Sequence, residues 1–368
     1  MFPFQFSRKT NFATTIIIVL FLLTSCEKKF DFSTLPLDEN VSVNETTYVE
    51  LSPPFSGFHK ISSIAIGGDQ MMYVADFNAN KIYQLNIAGI KLGELSLNDS
   101  IAFHPSAIAQ DSRLDLLFCG ETKVQNDTVA AIFRIQLSKF GLKLSDVATS
   151  NIKTVWKERA KPARRFKGII VVSDNQFIVA RVGPDNSSPI DPDSRIIWFQ
   201  KNDVKIKEIS DLQTGVGSSI TFINKPTGLI GFPFSKNFIV TQTLEGVIYG
   251  AIWMKYSSVE ELWIPGFDPS NPLQRVDFIR PNLFSNATGG TYDANRGDVF
   301  ILNSTSDTNW YAVFKFDSKG RLKNESIHPN AVLPFLTSPA SATFYDRVLY
   351  VAQDSRVFRF KLSTDFIR

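Results

Sequence analysis

A short segment recurs six times along this chain of 368 residues. Each copy places a large apolar, a medium apolar, a mostly small and a polar residue in that order, and successive copies lie 45 to 61 residues apart. The copies are 73–76 (YVAD), 118–121 (FCGE), 178–181 (IVAR), 239–242 (IVTQ), 300–303 (FILN) and 350–353 (YVAQ). Repeats of this length are typical of folds built from stacked supersecondary units. No other feature constrains the fold as strongly.

Each copy stands between two further strand-like runs. The preceding runs are rich in small residues: 64–66, 107–109, 168–170, 228–230, 289–291 and 341–343. The following runs are β-branched and aromatic, and weaker fourth runs come after several of them, at 91–97, 204–209, 259–264 and 321–327. Four antiparallel strands repeated six times predict an all-β, six-bladed β-propeller. We expect its blades to begin near residues 61, 105, 167, 227, 288 and 340.

The two ends of the repeat predict how the ring closes. The last unit supplies only three strands, whereas an extra run, 46–51 (TTYVEL), precedes the first unit. Placed as the outer strand of the last blade, this run would cover an exposed sheet edge. We therefore predict one propeller domain over residues 46–368, closed by its N-terminal strand.

The first 25 residues have the pattern of a signal peptide. Arg8 and Lys9 form a basic region, and the run 13–23 is too short for a transmembrane helix. The run ends in Leu23-Thr24-Ser25-Cys26, which resembles the lipobox of bacterial lipoproteins. The resemblance implies that Cys26 is acylated and that 26–45 is a lipidated tether. The alternative is an ordinary signal peptide with a cysteine near its cleavage site.

The lipobox resemblance also implies a location. No aspartate follows Cys26 directly, which favours the outer membrane of the bacterial cell envelope over the inner membrane. The sequence does not specify which leaflet of that membrane carries the anchor.

The first unit resembles a known repeat. Its runs 64–66 and 73–76, together with Asn78, 80–83 and Gly89, are similar to an NHL repeat. The region 46–368 resembles the six-bladed NHL/TolB-like propellers of bacterial lipoproteins. This resemblance implies the fold, and it leaves function open among binding modules, lactonase-type hydrolases and lyases.

Composition excludes several classes of protein. With 43% hydrophobic residues and 2 cysteines, the chain is neither disordered nor a disulfide scaffold. A net charge of +3 does not indicate the strongly basic surface that a nucleic-acid-binding protein needs. Cys119 lies in an apolar run, so we expect it to be buried.

The last column of the repeat is the first candidate site. It contributes one polar residue per blade at the face where ligands usually bind: Asp76, Glu121, Arg181, Gln242, Asn303 and Gln353. These side chains are predicted to form a polar ring that binds a ligand. The alternative is that each one only caps a turn by binding backbone N–H groups.

Histidines on neighbouring loops suggest a metal hypothesis. His59, His104 and His328 precede the first, second and sixth inner strands, and Asp76 and Glu121 would lie near them. This set is similar to that of the amidating lyases among the NHL-like propellers, and it could hold Zn²⁺. The alternative is that the loop histidines are unrelated.

A second metal hypothesis comes from resemblance to lactonase-type propellers. Those enzymes hold a divalent ion between glutamate, asparagine and aspartate side chains. Glu121, Asn303 and Asp76 match these types, although they belong to the repeat column.

Two charged loops belong to the third blade. The loop 183–195 carries Asp185, Asp191 and Asp193, which could bind Ca²⁺ or be solvated. The segment 157–167 carries four cations, which could hold a sugar acid or a phosphate, or be solvated: Lys161, Arg164, Arg165 and Lys167.

A long connection, 265–281, carries Phe267, Phe278 and four prolines. It is predicted to form a lid or a partner surface over the channel.

The favoured function is a membrane-anchored extracytoplasmic module that binds a glycan, peptide or protein ligand through its loops, with no cofactor. The alternative is a metal-dependent lyase or lactonase-type hydrolase. Its divalent ion, Zn²⁺ or Ca²⁺, would be bound by His59 and His104 at the mouth of the central channel.

Overall fold

Six β-sheets stand around a common axis, and the inner strands of neighbouring sheets contact each other in a closed cycle. This architecture is seen in a computed structural model, which describes residues 46–267, 277–281, 283–307, 309–328 and 336–366. Blade one holds β2 (Ile61–Ile66), β3 (Met72–Asp76), β4 (Lys81–Leu85) and β5 (Lys91–Ser96). Blade two holds β6 (Phe103–Gln110), β7 (Leu116–Val124), β8 (Asp127–Ile135) and β9 (Lys153–Lys157). Blade three holds β10 (Arg165–Val171), β11 (Phe177–Val182), β12 (Arg195–Phe199) and β13 (Lys205–Glu208).

The remaining blades follow the same antiparallel order. A parallel pair, β14 (Gln213–Thr214) and β15 (Phe222–Ile223), precedes blade four. Blade four holds β16 (Pro226–Gly231), β17 (Phe238–Gln242), β18 (Ala251–Ser257) and β19 (Leu262–Pro265). Blade five holds β20 (Ala287–Asp293), β21 (Asp298–Asn303) and β22 (Val313–Phe316). Blade six holds β23 (Ser341–Tyr345), β24 (Val348–Gln353), β25 (Arg356–Leu362) and β1 (Tyr48–Glu50).

Helical structure is limited to single turns among the described residues. These 3₁₀ helices are Leu137–Phe140, Leu144–Asp146, Thr149–Asn151, Ser173–Asn175, Asp277–Ile279 and Ser363–Asp365. No helix in the described ranges has the length and apolar composition needed to cross a membrane.

The fold prediction is confirmed, including the closure. β1 pairs antiparallel with β25, Tyr48 opposite Leu362 and Glu50 opposite Phe360. The predicted fourth strand of blade five is reduced to two bridges, from Phe316 to Leu322 and from Val313 to Ile327. Blade two has an outer strand, β9, that the sequence pattern did not predict.

Burial explains the repeated apolar columns. All five residues of β3 are buried, because the middle strands of a blade are covered by neighbouring blades on both faces. The inner strands approach closely: a Cβ added to Gly228 would lie 3.0 Å from Gly289 Cα, and one on Gly168 would lie 2.9 Å from Leu229 N. Small residues are therefore required near the axis. Cys119 is buried, as predicted.

We call the face at which the chain passes into each inner strand the loop face. Each second strand ends at the same face, because Ile61 at the start of β2 lies opposite Asp76 at the end of β3.

Candidate functional site

The repeated polar column lies at the loop face, and most of its side chains hold the loops that lead into the inner strands. The Asp76 carboxylate accepts hydrogen bonds from the backbone N–H groups of His59 and Lys60, at 2.6 and 3.0 Å. Three side-chain amide oxygens do the same: Gln242 for Asn224 N at 2.8 Å, Asn303 for Asn286 N at 2.9 Å, and Gln353 for Ser338 N at 2.8 Å. This geometry matches the capping alternative, and contact with a ligand stays a prediction.

Glu121, the column residue of blade two, bridges two side chains instead. Its Oε1 lies 2.7 Å from Arg165 Nε, and its Oε2 lies 3.1 Å from His104 Nδ1. The His104 ring stacks on Phe77, with centroids 4.5 Å apart and planes 12° apart. The contact with Arg165 balances the charge of the Glu121 carboxylate.

Arg164 and the aspartates of the 183–195 loop form an ion cluster. Arg164 Nε donates to Asp193 Oδ1 at 2.9 Å, and its Nη2 donates to Asp191 Oδ1 at 2.6 Å. Lys161 Nζ lies 3.3 Å from Asp193 Oδ1. Arg164 and Asp193 are only 3% and 2% exposed, so the alternative that the charged loops are solvated is wrong for these two residues.

Arg181, the column residue of blade three, belongs to the same cluster. Its Nε donates to the backbone oxygen of Asp193 at 3.0 Å, and its Nη1 donates to Glu158 Oε1 at 3.2 Å. The loop aspartates that the sequence allowed as calcium ligands are thus paired with arginines. The exception is Asp185, which accepts hydrogen bonds from Ser187.

This ion cluster should make the fold sensitive to acid. Burial acts to raise the pKa of Asp193, but hydrogen bonding from Asp185 N–H and pairing with Arg164 and Lys161 hold it below its ordinary value of 3.8. A carboxyl group with a lowered folded-state pKa stabilises the fold above its unfolded pKa, and this stabilisation is lost as pH falls towards the folded value. We expect Asp193→Asn to lower the free energy of unfolding at neutral pH and to flatten its decline below about pH 4. Urea unfolding at a series of pH values measures both, and identical pH slopes for the two proteins would contradict the assignment.

The three histidines do not converge. His59 Nδ1 lies 3.7 Å from Asp76 Oδ2, whereas His104 contacts Glu121 and the His328 ring packs on Tyr311 at 4.2 Å. In the part of the chain that the structure describes, no three His, Cys, Asp or Glu residues are grouped to hold a metal ion. The oxygens that a metal would need are taken, on Asp76 by backbone N–H groups and on Glu121 by Arg165. As placed, these residues do not fit one metal ion, and the divalent metal stays a prediction.

The predicted lid is only partly described. Residues 268–276 and 282 lie outside the described residues. Phe267 and Phe278 are buried, and their ring centroids lie 5.8 Å apart within the core of blades four and five. These two rings therefore pack in the interior.

The central channel is a cavity of about 1330 Å³ lined by all six inner strands. At the loop face its wall includes Lys60, Lys167 and Phe77. Close to this mouth, five of the inner strands carry a register shift that takes side chains out of the regular alternation. The shift skips one residue at 61/63, 166/168, 226/228 and 287/289, and three residues at 103/107.

Hydroxyl groups at these bulges join neighbouring blades. In four blades the bulge carries a serine or threonine that donates to a backbone oxygen of the next blade. The pairs are Ser62 to Pro105 at 2.5 Å, Ser106 to Phe166 at 2.9 Å, Thr227 to Ala287 at 2.7 Å and Thr288 to Pro339 at 2.6 Å. We call these contacts the hydroxyl ring.

Lys167 interrupts the hydroxyl ring. It occupies the bulge of blade three, between Phe166 and Gly168 in the register with β11. Its side chain is exposed to the channel. The surrounding protein nevertheless desolvates the amino group, and this, followed by the charges of Arg165 and Lys60, lowers its pKa, while Glu121 opposes the shift. Within the described residues, its ammonium has neither an ion-pair nor a hydrogen-bond partner. The channel mouth therefore presents an uncompensated cation.

Sequence reasoning named Lys167 but missed Lys60 and the hydroxyl ring. Aligning one further column would have revealed the ring, because the bulge residues read Ser62, Ser106, Lys167, Thr227 and Thr288. Lys60 carried no signal in the sequence, since only the fold shows that it lines the channel.

The fold and the site together define a six-bladed β-propeller with a cationic channel mouth. No protein-family model matches the chain, and no curated protein matches it. Solved structures match in fold at low identity. A calcium-binding protein, regucalcin, from Agrobacterium tumefaciens is 13% identical with a TM-score of 0.55, covering 83% of this chain and 90% of that one. A luciferin-regenerating enzyme is 12% identical with a TM-score of 0.54, covering 86% and 95%.

A third solved structure extends the range of activities found on this fold. The aldose sugar dehydrogenase from Streptomyces coelicolor, in its PQQ-bound form, is 12% identical with a TM-score of 0.52, covering 87% of this chain and 99% of that one. Identities this low establish the shared fold alone. The NHL/TolB-like resemblance stays a prediction.

Proposed function

We propose that this chain is a lipid-anchored, ligand-binding propeller of the bacterial cell envelope, related to the NHL/TolB-like lipoproteins. Its site is the loop-face mouth of the channel, and its ligand there is a small anion with carboxylate or phosphate oxygens. The observation that carries this proposal is Lys167, a cation placed where four other blades have a hydroxyl group that joins them to the next blade.

Charge supports an anionic ligand. Lys60 and Lys167 both line this mouth, and the wall at this end has no carboxylate among the described residues. Both lysine side chains are exposed. An anion that enters the channel mouth can therefore reach them and form charge-assisted hydrogen bonds with an ammonium group that has no counter-ion. The nearby cations Arg164 and Arg165 are already paired with carboxylates, so they add no free charge.

The alternative is a metal-dependent lyase or lactonase-type hydrolase. It is compatible with a fold that also includes a luciferin-regenerating enzyme and an aldose sugar dehydrogenase. We do not propose this enzymatic function, because the carboxylates that would bind the metal already have partners. Asp76 accepts hydrogen bonds from backbone N–H groups, and Glu121 pairs with Arg165. A glycan, peptide or protein ligand on the outer loops also stays a prediction.

Replacing Lys167 tests the anion site, and the hydroxyl ring suggests the substitution. Lys167→Thr removes the cation and supplies the side chain that this bulge position has in blades four and five. We expect the dissociation constants for inorganic phosphate and butanoate to rise at least about tenfold, since a hydrogen bond to a charged group contributes about 1.5–3 kcal/mol. The free energy of unfolding should stay the same or rise by up to about 1 kcal/mol, because a hydroxyl bond can form.

Titration calorimetry and urea unfolding measure the two effects. Lys201→Thr, at the opposite mouth of the channel, is the matched control and should bind both anions like the parent. The lowered pKa of Lys167 adds a pH test: the amine loses its charge as pH rises, so anion affinity should decline below the ordinary lysine value of 10.5. Unchanged anion affinity in Lys167→Thr would refute the site.

The anchor is tested separately at Cys26. Two or three acyl chains at about 0.8 kcal/mol per buried CH₂ would hold the domain firmly on a bilayer. In cells labelled with an alkyne fatty acid, we expect the parent protein to carry the label and the Cys26→Ala variant to lack it. The variant should also move from the membrane to the soluble fraction. A parent protein without label would show that the anchor is wrong.

A further inference from the structure

The channel is open along all six inner strands, and its two mouths differ in chemistry. The loop-face mouth carries Lys60 and Lys167. The opposite mouth includes Asp111, which is paired with Arg134, together with Asp174 and Lys201, so it has no excess of positive charge. A ligand with one charged end therefore has one favoured orientation.

The wall between the two mouths is mostly apolar. Ala65, Ala109 and Val171 are half-buried, and each packs against a hydrophobic cluster while facing the cavity. Gly231 and Gly290 line other parts of the wall. No charged side chain lines this middle section in the described ranges. Transfer of an apolar group from water to such a surface is favourable, at about 25 cal/mol per Å².

The opposite mouth is aromatic. Phe234 lies on its rim with 98% of its surface exposed, and Tyr292, Phe344 and Tyr345 line the wall nearby. Phe234 also has a φ of 58°, which a bulky residue rarely adopts. An exposed ring on strained backbone costs free energy in two ways, and such features concentrate at binding sites.

We propose that the channel binds an amphipathic organic acid lengthwise, with its anionic group at Lys60 and Lys167 and its apolar body along the wall towards Phe234. This inference rests on the proposed function, because it uses the same cationic mouth. It adds the class of ligand: a carboxylic acid or phosphate monoester with a ring system or a branched apolar chain.

The dimensions of the channel agree with a bulky apolar body. Six-residue strands span about 20 Å, so a cavity of about 1330 Å³ has a mean cross-section of about 65 Å². That bore admits a fused-ring body, whereas a single extended alkyl chain would leave much of it empty.

Pyrenebutanoate is a suitable probe because it combines a carboxylate with a fused-ring body whose emission reports polarity. The controls are butanoate, which lacks the ring, and pyrenebutanol, which lacks the charge. We expect pyrenebutanoate to bind at least tenfold more tightly than either control, with an emission band ratio typical of apolar surroundings. Lys167→Thr should weaken its binding at least tenfold and leave pyrenebutanol unaffected.

A variant of the aromatic rim separates the two proposals. Phe234→Ala should weaken the binding of pyrenebutanoate several-fold and leave the binding of butanoate unchanged. The control is Val259→Ala, at a hydrophobic residue that is 91% exposed elsewhere on the surface, and it should change the binding of neither acid. Equal affinities for butanoate and pyrenebutanoate, both dependent on Lys167, would overturn this inference and leave the anion site standing. Binding of neither acid would overturn both proposals. Binding of pyrenebutanol as tight as that of pyrenebutanoate would overturn this inference, because the carboxylate would then contribute nothing to binding in the channel.

Discussion

Loss of the closing strand is expected to destabilise the propeller more than any single side-chain substitution. Deleting residues 46–58 removes β1 and uncovers the edge of β25. It also breaks the backbone hydrogen bonds from Leu51 N to Arg359 O at 2.8 Å and from Phe55 N to Val357 O at 2.9 Å. An uncovered edge offers a template for pairing with another chain. We expect the truncated chain to show no cooperative unfolding transition and to self-associate.

Two aromatic side chains account for much of this effect. Tyr48 and Phe55 are 8% and 9% exposed, and each packs in a cluster that joins the two ends of the ring. Tyr48 also covers a buried ion pair, since Lys315 Nζ lies 5.2 Å from its ring centroid and 3.2 Å from Asp298 Oδ2. Removing the ring would admit water to that pair.

Point variants make the effect measurable where the deletion does not fold. Tyr48→Ala and Phe55→Ala should each lower the free energy of unfolding by about 3–5 kcal/mol. Single domains have only about 5–15 kcal/mol in total, so the double variant should be largely unfolded. Phe366→Ala, at an exposed aromatic on the same blade, is the control and should change stability by less than about 0.5 kcal/mol. A truncated chain that melts like the parent would show that the ring is closed by other contacts.

Arg134→Met should have the second largest effect, because this buried guanidinium pairs with three carboxylates, and two of these, Asp111 and Asp115, are buried. Its Nη1 donates to Asp111 at 2.7 Å and to Asp115 at 3.2 Å, and its Nε donates to Asp203 at 2.9 Å. Asp111 and Asp203 lie on different blades, so Arg134 joins blades two and three. Removing one partner of a buried ion pair costs about 3–5 kcal/mol. We expect a destabilisation of that size at neutral pH.

The pH dependence of this destabilisation identifies its cause. Burial and the nearby charge of Asp111 raise the pKa of Asp115, and Arg134 opposes the shift. Without Arg134 that pKa should rise further, and a folded-state pKa above the unfolded value means that stability is regained as pH falls through it. Urea unfolding at about pH 7 and about pH 5 should therefore show partial recovery in Arg134→Met.

Arg113→Met is the matched control for Arg134→Met. Arg113 Nη2 also lies 2.7 Å from Asp111 Oδ2, but its side chain is 44% exposed. Because water reaches the Arg113 side of this pair and Arg134 still pairs with Asp111, we expect the loss of Arg113 to cost no more than an exposed pair, about 0–1 kcal/mol. Equal destabilisation in the two arginine variants would mean that burial of the network is not what makes Arg134 important.

The sequence alone determined the architecture, because the physical requirements of a blade repeat with the chain. Crowding at the axis selects small residues such as Gly228, and burial on both faces selects apolar middle strands such as Met72–Asp76. The same reasoning placed residues 46–51 as the closing strand. Each of these requirements acts within one repeat or between adjacent repeats, so it leaves a periodic trace.

Only the tertiary structure decided what the charged and polar side chains do. Asp76 and Gln242 bind backbone N–H groups, whereas Arg181 in the same column joins an ion cluster. Whether a charge is cancelled depends on which side chains from other loops or blades lie against it, and that pairing has no period in the sequence. Arg164 pairs with Asp193, which lies 29 positions further along the chain, whereas nothing in the described structure pairs with Lys167. A binding site is defined by such an imbalance, which becomes visible only when the partners of every neighbouring group are known.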